Sequence, residues 1–161
     1  MANVTADARL DLVLRRNVKL PRALIWQAWT EPEHLKKWFC PRPWQAVECD
    51  IDLRPGGIFC TAMRGPANER IEIVCCYLEV IPQERLSWTT VLGPGFRPVA
   101  EPIIPFTGIL DFEVADGGTA YTAYALHKDD ADRKRHAEMG FEKGWNTALD
   151  QLIEAMTPLS A

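Results

Sequence analysis

The C-terminal segment 130–157 has the periodicity of one long amphipathic helix. Apolar side chains recur along it at spacings of three and four residues, which places them on one helical face. These residues are Phe141, Trp145, Leu149, Leu152 and Met156. At ~1.5 Å per residue the helix would be roughly 40 Å long, so its apolar face needs a broad surface to pack against. Gly140, Gly144 and Ala148 form a neighbouring stripe of small residues, where another backbone can approach closely.

The rest of the chain is dominated by segments with the residue pattern of β-strands, which predicts that this surface is a sheet. The predicted strands are residues 8–16, 45–53, 58–64, 70–81, 86–92, 106–114 and 119–127. Two short helices, beginning near Pro21 and Pro32, follow the first strand. Residues 93–105 contain four prolines and two glycines and are predicted to form a loop. Short turns between most strands favour an antiparallel sheet with one covered face.

The turn at residues 54–57 (RPGG) leaves two registers open for the strand that follows it. A two-residue loop would place Ile58, Cys60 and Ala62 on the inner face. A three-residue loop with a glycine bulge would instead turn Phe59, Thr61 and Met63 inward. We favour the second register, because paired glycines suit the bulge and the larger side chains become buried.

Length and charge narrow the class of protein. The 161 residues predict one domain over residues 1–161. The net charge of −4 and the lack of a basic cluster argue against nucleic acid as a partner. No run of 18 apolar residues is present, so we expect no membrane span. The N-terminal residues lack the basic and apolar pattern of a secretion signal.

The five cysteines are odd in number and none forms a CxxC pair. We interpret them as reduced thiols of a cytoplasmic protein, without a disulfide framework. Cys75 and Cys76 are adjacent in a predicted strand and point to opposite faces, which is poor geometry for a shared metal. We therefore expect no metal and no cofactor.

Four segments carry a resemblance to a known family. They are residues 21–39 (PRALIWQAWTEPEHLKKWF), 52–63 (DLRPGGIFCTAM), 77–88 (YLEVIPQERLSW) and 139–152 (MGFEKGWNTALDQL). In this order they resemble the START-like (SRPBCC) helix-grip superfamily, within the branch named for the activator of the heat-shock-protein-90 ATPase. The resemblance implies an α+β helix-grip fold. In this fold a curved antiparallel sheet of six to seven strands wraps around a long C-terminal helix and encloses a pocket.

The pocket that the resemblance implies would be lined mainly by aromatic side chains from several segments. The residues we predict to line it are Trp38, Phe59, Met63, Tyr77, Trp88, Phe112, Tyr124, His127 and Phe141. Tyr121 is the alternative to Tyr124, and ordinary core packing is the alternative for each residue. We assign Trp145 to the core. His34 and His136 lie among charged neighbours and are interpreted as solvated, and a surface position at the strand end is the alternative for His127.

Three functions are compatible with this pattern. The first is a carrier or sensor that binds a small hydrophobic molecule in the pocket, and we place it first because no catalytic motif is found. The second is an enzyme resembling polyketide cyclases or hydrolases, with His127, Tyr121, Tyr124 and Arg64 as its polar groups. The third is a co-chaperone that stimulates a heat-shock chaperone ATPase, which rests on the resemblance alone. The sequence is also compatible with a homodimer.

Overall fold

The computed structural model describes residues 1–160, over which the backbone forms nine strands and four α-helices. The strands are β1 (Asp11–Val18), β2 (Gln45–Ile51), β3 (Ile58–Arg64), β4 (Arg70–Ile81), β5 (Arg85–Thr89), β6 (Leu92–Gly93), β7 (Arg97–Pro98), β8 (Thr107–Ala115) and β9 (Gly118–Leu126). The helices are α1 (Arg22–Thr30), α2 (Pro32–Leu35), α3 (Asp130–Glu138) and α4 (Phe141–Met156). Short 3₁₀ turns occupy Pro94–Phe96 and Thr157–Ser160.

Seven of the strands form one antiparallel sheet in the order β1-β9-β8-β5-β4-β3-β2. Its concave face packs against α1, α2 and α4, which confirms the predicted α+β helix-grip class and the two short helices after the first strand. The remaining strands, β6 and β7, form a small hairpin over residues 92–98. The strand predicted over residues 86–92 therefore ends early, at Thr89, and Leu92 belongs to the hairpin that opens the predicted loop 93–105. Gly95 has φ of 75° in this hairpin, a conformation that glycine adopts without strain.

The prediction of one continuous helix over residues 130–157 is wrong. The chain forms α3 and α4, which are separated at Met139 and Gly140. Gly140 has φ of 95°, in the left-handed region, and a left-handed glycine commonly ends a helix. The backbone N–H of Asp132 donates to the side chain of Asp129 at 2.8 Å, so Asp129 caps the start of α3. The apolar periodicity belongs to α4, which has 16 residues and is therefore about 24 Å long.

The β2–β3 hairpin turns the predicted face of β3 inwards, but its loop is longer than the three residues predicted. The backbone N–H of Asp52 donates to the carbonyl oxygen of Ile58 at 2.9 Å, which leaves residues 53–57 as the loop. Phe59 pairs with Ile51 on one side and with Cys75 on the other, and its side chain is buried on the concave face. Gly57 makes this turn possible, because a Cβ atom there would lie 1.9 Å from the carbonyl oxygen of Asp52. Alternation along β3 then directs every second side chain towards α4.

A buried amide connects α4 to the segment that follows α2. The Nε2 atom of Gln151 donates to the carbonyl oxygens of Trp38 and Cys40 at 2.9 and 2.8 Å. Its Oε1 atom accepts from the backbone N–H of Arg42 at 3.0 Å. The indole N–H of Trp38 donates in turn to the carbonyl of Ala28 at 3.0 Å. These bonds fix the distance between α4 and the two short helices.

The convex face carries a buried ion pair. Arg85 Nε donates to Asp111 Oδ1 at 2.6 Å, and Arg85 Nη2 donates to Asp111 Oδ2 at 2.9 Å. Arg85 Nη1 also donates to the carbonyl oxygen of Ala2, so N-terminal residues lie across this face. Tyr124 shares the face, with the guanidinium of Arg15 6.0 Å from its ring centre. Within residues 1–160, no helix combines the length and apolarity needed to cross a membrane.

We predict that Gly108→Ala destabilises the fold by ~1–3 kcal/mol, the usual effect of overpacking. Gly108 pairs with Trp88 across β8 and β5, and a Cβ atom would lie 2.6 Å from the indole ring. Trp88 cannot move freely, because it packs against Trp29 and Phe59 with ring centres 5.3 and 5.5 Å away. Urea unfolding measures the change.

Gly144→Ala is the matched control for this substitution. Its Cβ atom would meet only Pro41, at an ordinary contact distance of 3.9 Å. Since glycine is less favourable than alanine inside a helix, this variant should gain about 0.5–1 kcal/mol. Equal stability of Gly108→Ala and the wild-type protein would contradict the packing described here.

Candidate functional site

A cavity of about 320 Å³ lies between the concave face of the sheet and α4. Its walls are mostly aromatic and aliphatic, and no Lys, Arg, Asp or Glu side chain of residues 1–160 is part of its lining. Pro41, Ile104 and the exposed Met139 border it, so the cavity reaches the surface beside the α3–α4 junction. Within α4, the small residues of the predicted stripe, Gly144 and Ala148, border the cavity together with Phe141, Trp145 and Leu149.

Five of the nine residues predicted to line the pocket border this cavity. They are Trp38, Phe59, Met63, Trp88 and Phe141. Phe59, Met63 and Trp88 project from the concave face, Trp38 follows α2, and Phe141 begins α4. Trp145, which the sequence assigns to the core, is partly buried and also borders the cavity. The other residues that bring carbocyclic or indole rings or sulfur atoms to the wall are Trp29, Phe39, Cys40, Cys75, Phe106, Tyr121 and Met139.

The structure places the other four predicted residues outside the lining. Tyr77 stacks on Phe59 with ring centres 5.2 Å apart and is fully buried behind it. Phe112 packs against Trp26 of α1 in the core. Tyr124 faces the convex side, because it lies an odd number of residues from Tyr121 along β9. Tyr121, the alternative to Tyr124, is therefore the tyrosine at the cavity. His127 does not border the cavity, because His136 lies between them.

Tyr121 and Trp29 bring polar atoms to an otherwise apolar wall. The indole Nε1 of Trp29 is buried and has no hydrogen-bond partner within residues 1–160. Burial raises the pKa of Tyr121, and the nearby Trp29 N–H partly opposes this rise. The Trp29 N–H and the Tyr121 oxygen are therefore close, although they do not meet the geometry of a hydrogen bond. Both groups stay neutral and leave hydrogen-bonding capacity unused.

His127 and His136 form a buried pair at the other end of the cavity. Their Nε2 and Nδ1 atoms are 2.9 Å apart, and both side chains are buried. The interpretation of His136 as solvated is therefore wrong, and so is the surface alternative for His127. His136 lies four residues before Gly140, which in turn lies four residues before Gly144, so His136 continues the spacing of the small-residue stripe. The charged residues around His136 obscure this signal. His136 borders the cavity, whereas His127 supports it from the end of β9.

The surrounding atoms determine where the protons of the pair lie when both rings are neutral. His127 Nδ1 lies 2.7 Å from the carbonyl oxygen of Leu10, which only accepts, so His127 Nδ1 carries a proton. The Nε2 atom of a neutral His127 is then an acceptor, and His136 Nδ1 must donate to it. His136 Nε2 consequently carries a lone pair. This atom has no protein partner within residues 1–160 and is not among the buried atoms sealed from solvent.

The environment of His136 favours its neutral form. Burial lowers its pKa from 6.5 to about 4, and the charge of a protonated His127 would oppose its ionisation further. The chain of hydrogen bonds ends at a peptide carbonyl, not at a carboxylate that could stabilise an imidazolium. At neutral pH His136 is therefore a hydrogen-bond acceptor and a weak base.

The remaining polar candidates lie elsewhere or are unreactive. Arg64 is exposed at the end of β3, and His34 pairs with Glu31 at 3.1 Å. Burial raises the pKa of Cys40 to about 11 and that of Cys75 to about 12, so both thiols at the cavity stay protonated. Among the described residues, no three His, Cys, Asp or Glu side chains form a ligand set for a metal.

The lowered pKa of His136 predicts how stability depends on pH. Between pH 6.5 and about 4 the unfolded chain binds a proton at this residue that the folded chain does not. The free energy of unfolding should therefore fall as the pH is lowered through this window, by on the order of 2 kcal/mol from this residue. Urea unfolding at a series of pH values should show a smaller fall for His136→Phe than for the wild-type protein. His34→Gln is the control, and identical pH dependence in all three proteins would contradict the lowered pKa of the buried His136.

Comparisons with known proteins agree with this architecture. A protein from Nitrosomonas europaea, known from a crystal structure, has 42% sequence identity to this chain and a TM-score of 0.91. The match covers 96% of this chain and 98% of that one. A protein from Mycobacterium smegmatis is 25% identical with a TM-score of 0.79, and 98% of each chain is covered. An AHSA1-like protein from Aeromonas hydrophila shares the fold at 16% identity and a TM-score of 0.71, over 93% of this chain and 94% of that one.

None of the curated proteins compared with this chain matches it. The family model described as activator of Hsp90 ATPase homolog 1-like protein matches residues 19–157, which include both short helices, the sheet from β2 onwards and α4. The chain therefore belongs to the activator of Hsp90 ATPase homolog 1-like family.

Proposed function

We propose that the protein binds a small, largely apolar molecule in the cavity between the sheet and α4. The observation that carries this proposal is an aromatic-walled space of about 320 Å³ that reaches the surface beside Met139. Ligand pockets typically occupy about 300–1,000 Å³ and are lined mainly by apolar side chains. The cavity thus has the volume and the wall chemistry of a binding site for a small ligand.

The volume sets the size of the ligand. Because a water molecule occupies about 30 Å³ in the liquid, the cavity holds on the order of ten to fifteen non-hydrogen atoms. A two-ring aromatic compound has this size. Since the lining formed by the described residues has no charged side chain, an ionised ligand would lose its hydration without gaining a countercharge. We therefore propose a neutral ligand.

The polar side chains at the cavity are better suited to binding a ligand than to catalysing a reaction. A catalytic nucleophile needs a base within reach and a third group that orients the base. The thiols of Cys40 and Cys75 remain protonated, and the hydrogen bond of His136 goes to His127 and not to either thiol. His136 is a weak base without a carboxylate behind it. We accordingly propose a carrier or sensor role for the protein.

We also propose that this role is carried out in the cytoplasm. All five cysteines are free thiols. Two of them, Cys75 and Cys76, are buried in the core strand β4, and burial raises the pKa of Cys75. Unpaired cysteines in such numbers suit a reducing compartment, where thiols remain reduced.

Two-ring aromatic compounds should raise the melting temperature of the protein. A ligand at 100 times its Kd adds about 2.7 kcal/mol to the free energy of unfolding. Thermal unfolding with naphthalene, indole and quinoline measures this effect. Stabilisation by at least one of the three is expected for the wild-type protein.

Gly144→Leu should abolish the stabilisation, because its side chain would occupy the part of the cavity that Gly144 leaves open. Gly144→Ala is the matched control and should keep the response, since one methyl group fills little of the space. Urea unfolding verifies that both variants fold. A wild-type protein unaffected by all three compounds, or equal responses of wild type and Gly144→Leu, would contradict the proposed cavity site.

A further inference from the structure

We infer that the cavity selects a ligand with a terminal hydrogen-bond donor, such as a phenolic hydroxyl, and that His136 Nε2 accepts its hydrogen bond. This inference rests on the proposed binding function and adds the chemical class of the ligand. Three features of the structure support it. They are the hydrogen-bonded pair of His127 and His136, the aromatic residues around His136, and the position of His136 at one end of the cavity.

The histidine pair determines which nitrogen of His136 is a hydrogen-bond acceptor. Leu10 holds the proton of His127 on Nδ1, and His127 holds the proton of His136 on Nδ1. Exchange to the other neutral tautomer of His136 would place two lone pairs against each other 2.9 Å apart. His136 Nε2 therefore accepts and does not donate. A hydroxyl or N–H of the ligand satisfies this atom, whereas an ether, a carbonyl or a carboxylate leaves it unpaired.

The residues around His136 favour a flat ligand body. The ring centre of His136 lies 4.8 Å from that of Phe106, 5.4 Å from that of Phe141 and 6.3 Å from that of Trp145. All of these rings border the cavity. Aromatic rings pack well against one another in offset or edge-to-face geometry at such distances. A ligand that reaches His136 Nε2 is thus surrounded by ring faces and edges.

The position of His136 makes the donor a terminal group of the ligand. His127, its partner, immediately follows β9 and is six residues from Tyr121, so their Cα atoms are about 20 Å apart. Tyr121, Trp29 and Trp88 border the opposite end of the cavity. Met139 and Gly140, which immediately follow α3, border the end near His136. The ligand should therefore enter with its apolar body first and leave its donor group at the mouth.

Two probes of nearly equal shape test this inference. 2-Naphthol carries a hydroxyl donor, and 2-fluoronaphthalene carries a fluorine atom in its place. Isothermal titration calorimetry gives the ratio of their Kd values for each protein variant. The preference for 2-naphthol should be about tenfold greater in the wild-type protein than in His136→Phe, which keeps an aromatic ring but lacks the acceptor.

Tyr124→Phe is the matched control, because it removes a hydroxyl from an aromatic residue on the convex face. Its preference should equal that of the wild-type protein. An equal ratio in wild type and His136→Phe, with both probes bound, would overturn the inference and leave the proposed binding function intact. Failure of both probes to bind the wild-type protein would overturn the proposed function and this inference together.

A second measurement needs no ligand and no variant. Long-range ¹H–¹⁵N NMR spectra of histidine side chains distinguish a protonated ring nitrogen from one that carries a lone pair. At neutral pH, Nδ1 of His136 should be protonated and Nε2 should be unprotonated. A proton on His136 Nε2 would overturn the inference, because that atom would then donate to the ligand.

Discussion

The architecture depends on the way in which α4 meets the concave face of the sheet. Leu149, Leu152 and Met156 are buried against it, so the second half of the helix is held by ordinary core packing. The first half presents Gly144 and Ala148, which are too small to reach the opposite wall. Gln151 fixes the helix to the segment after α2 through three hydrogen bonds, so the helix cannot move inwards to close the gap. Enclosed space is therefore a consequence of the helix sequence and its attachment.

The aromatic residues and the histidine pair give this space its chemical character. Trp29, Trp38, Phe59 and Trp88 form one cluster of ring contacts at the sheet. Phe106, Phe141, Trp145 and His136 form a second cluster at the α3–α4 junction. Larger residues in place of Gly144 and Ala148 would gain dispersion contacts that the folded chain now lacks. The proposed binding role rests on this unfilled space between α4 and the sheet.

The sequence predicts the class of fold more completely than the site. Strand alternation correctly predicts the seven strands of the main sheet, and the glycine pair after Pro55 correctly predicts the inward face of Phe59. Gly140 fits the small-residue stripe of a continuous helix, so periodicity does not reveal that the helix ends there. Its left-handed φ separates α3 from α4. Tyr121 and Tyr124 look equivalent in sequence, and only the register with β8 separates the concave from the convex side. His136 lies in a charged run, and its burial depends on the chain turning back at Gly140.

The central claim is that accessible apolar space remains between α4 and the sheet. Diffraction from crystals of the protein under xenon pressure tests it directly, because xenon occupies apolar cavities and scatters strongly. We expect a xenon site bordered by Phe59, Trp88 and Ala148. A structure without xenon at this position, in which side chains of α4 contact the sheet along the whole helix, would contradict it.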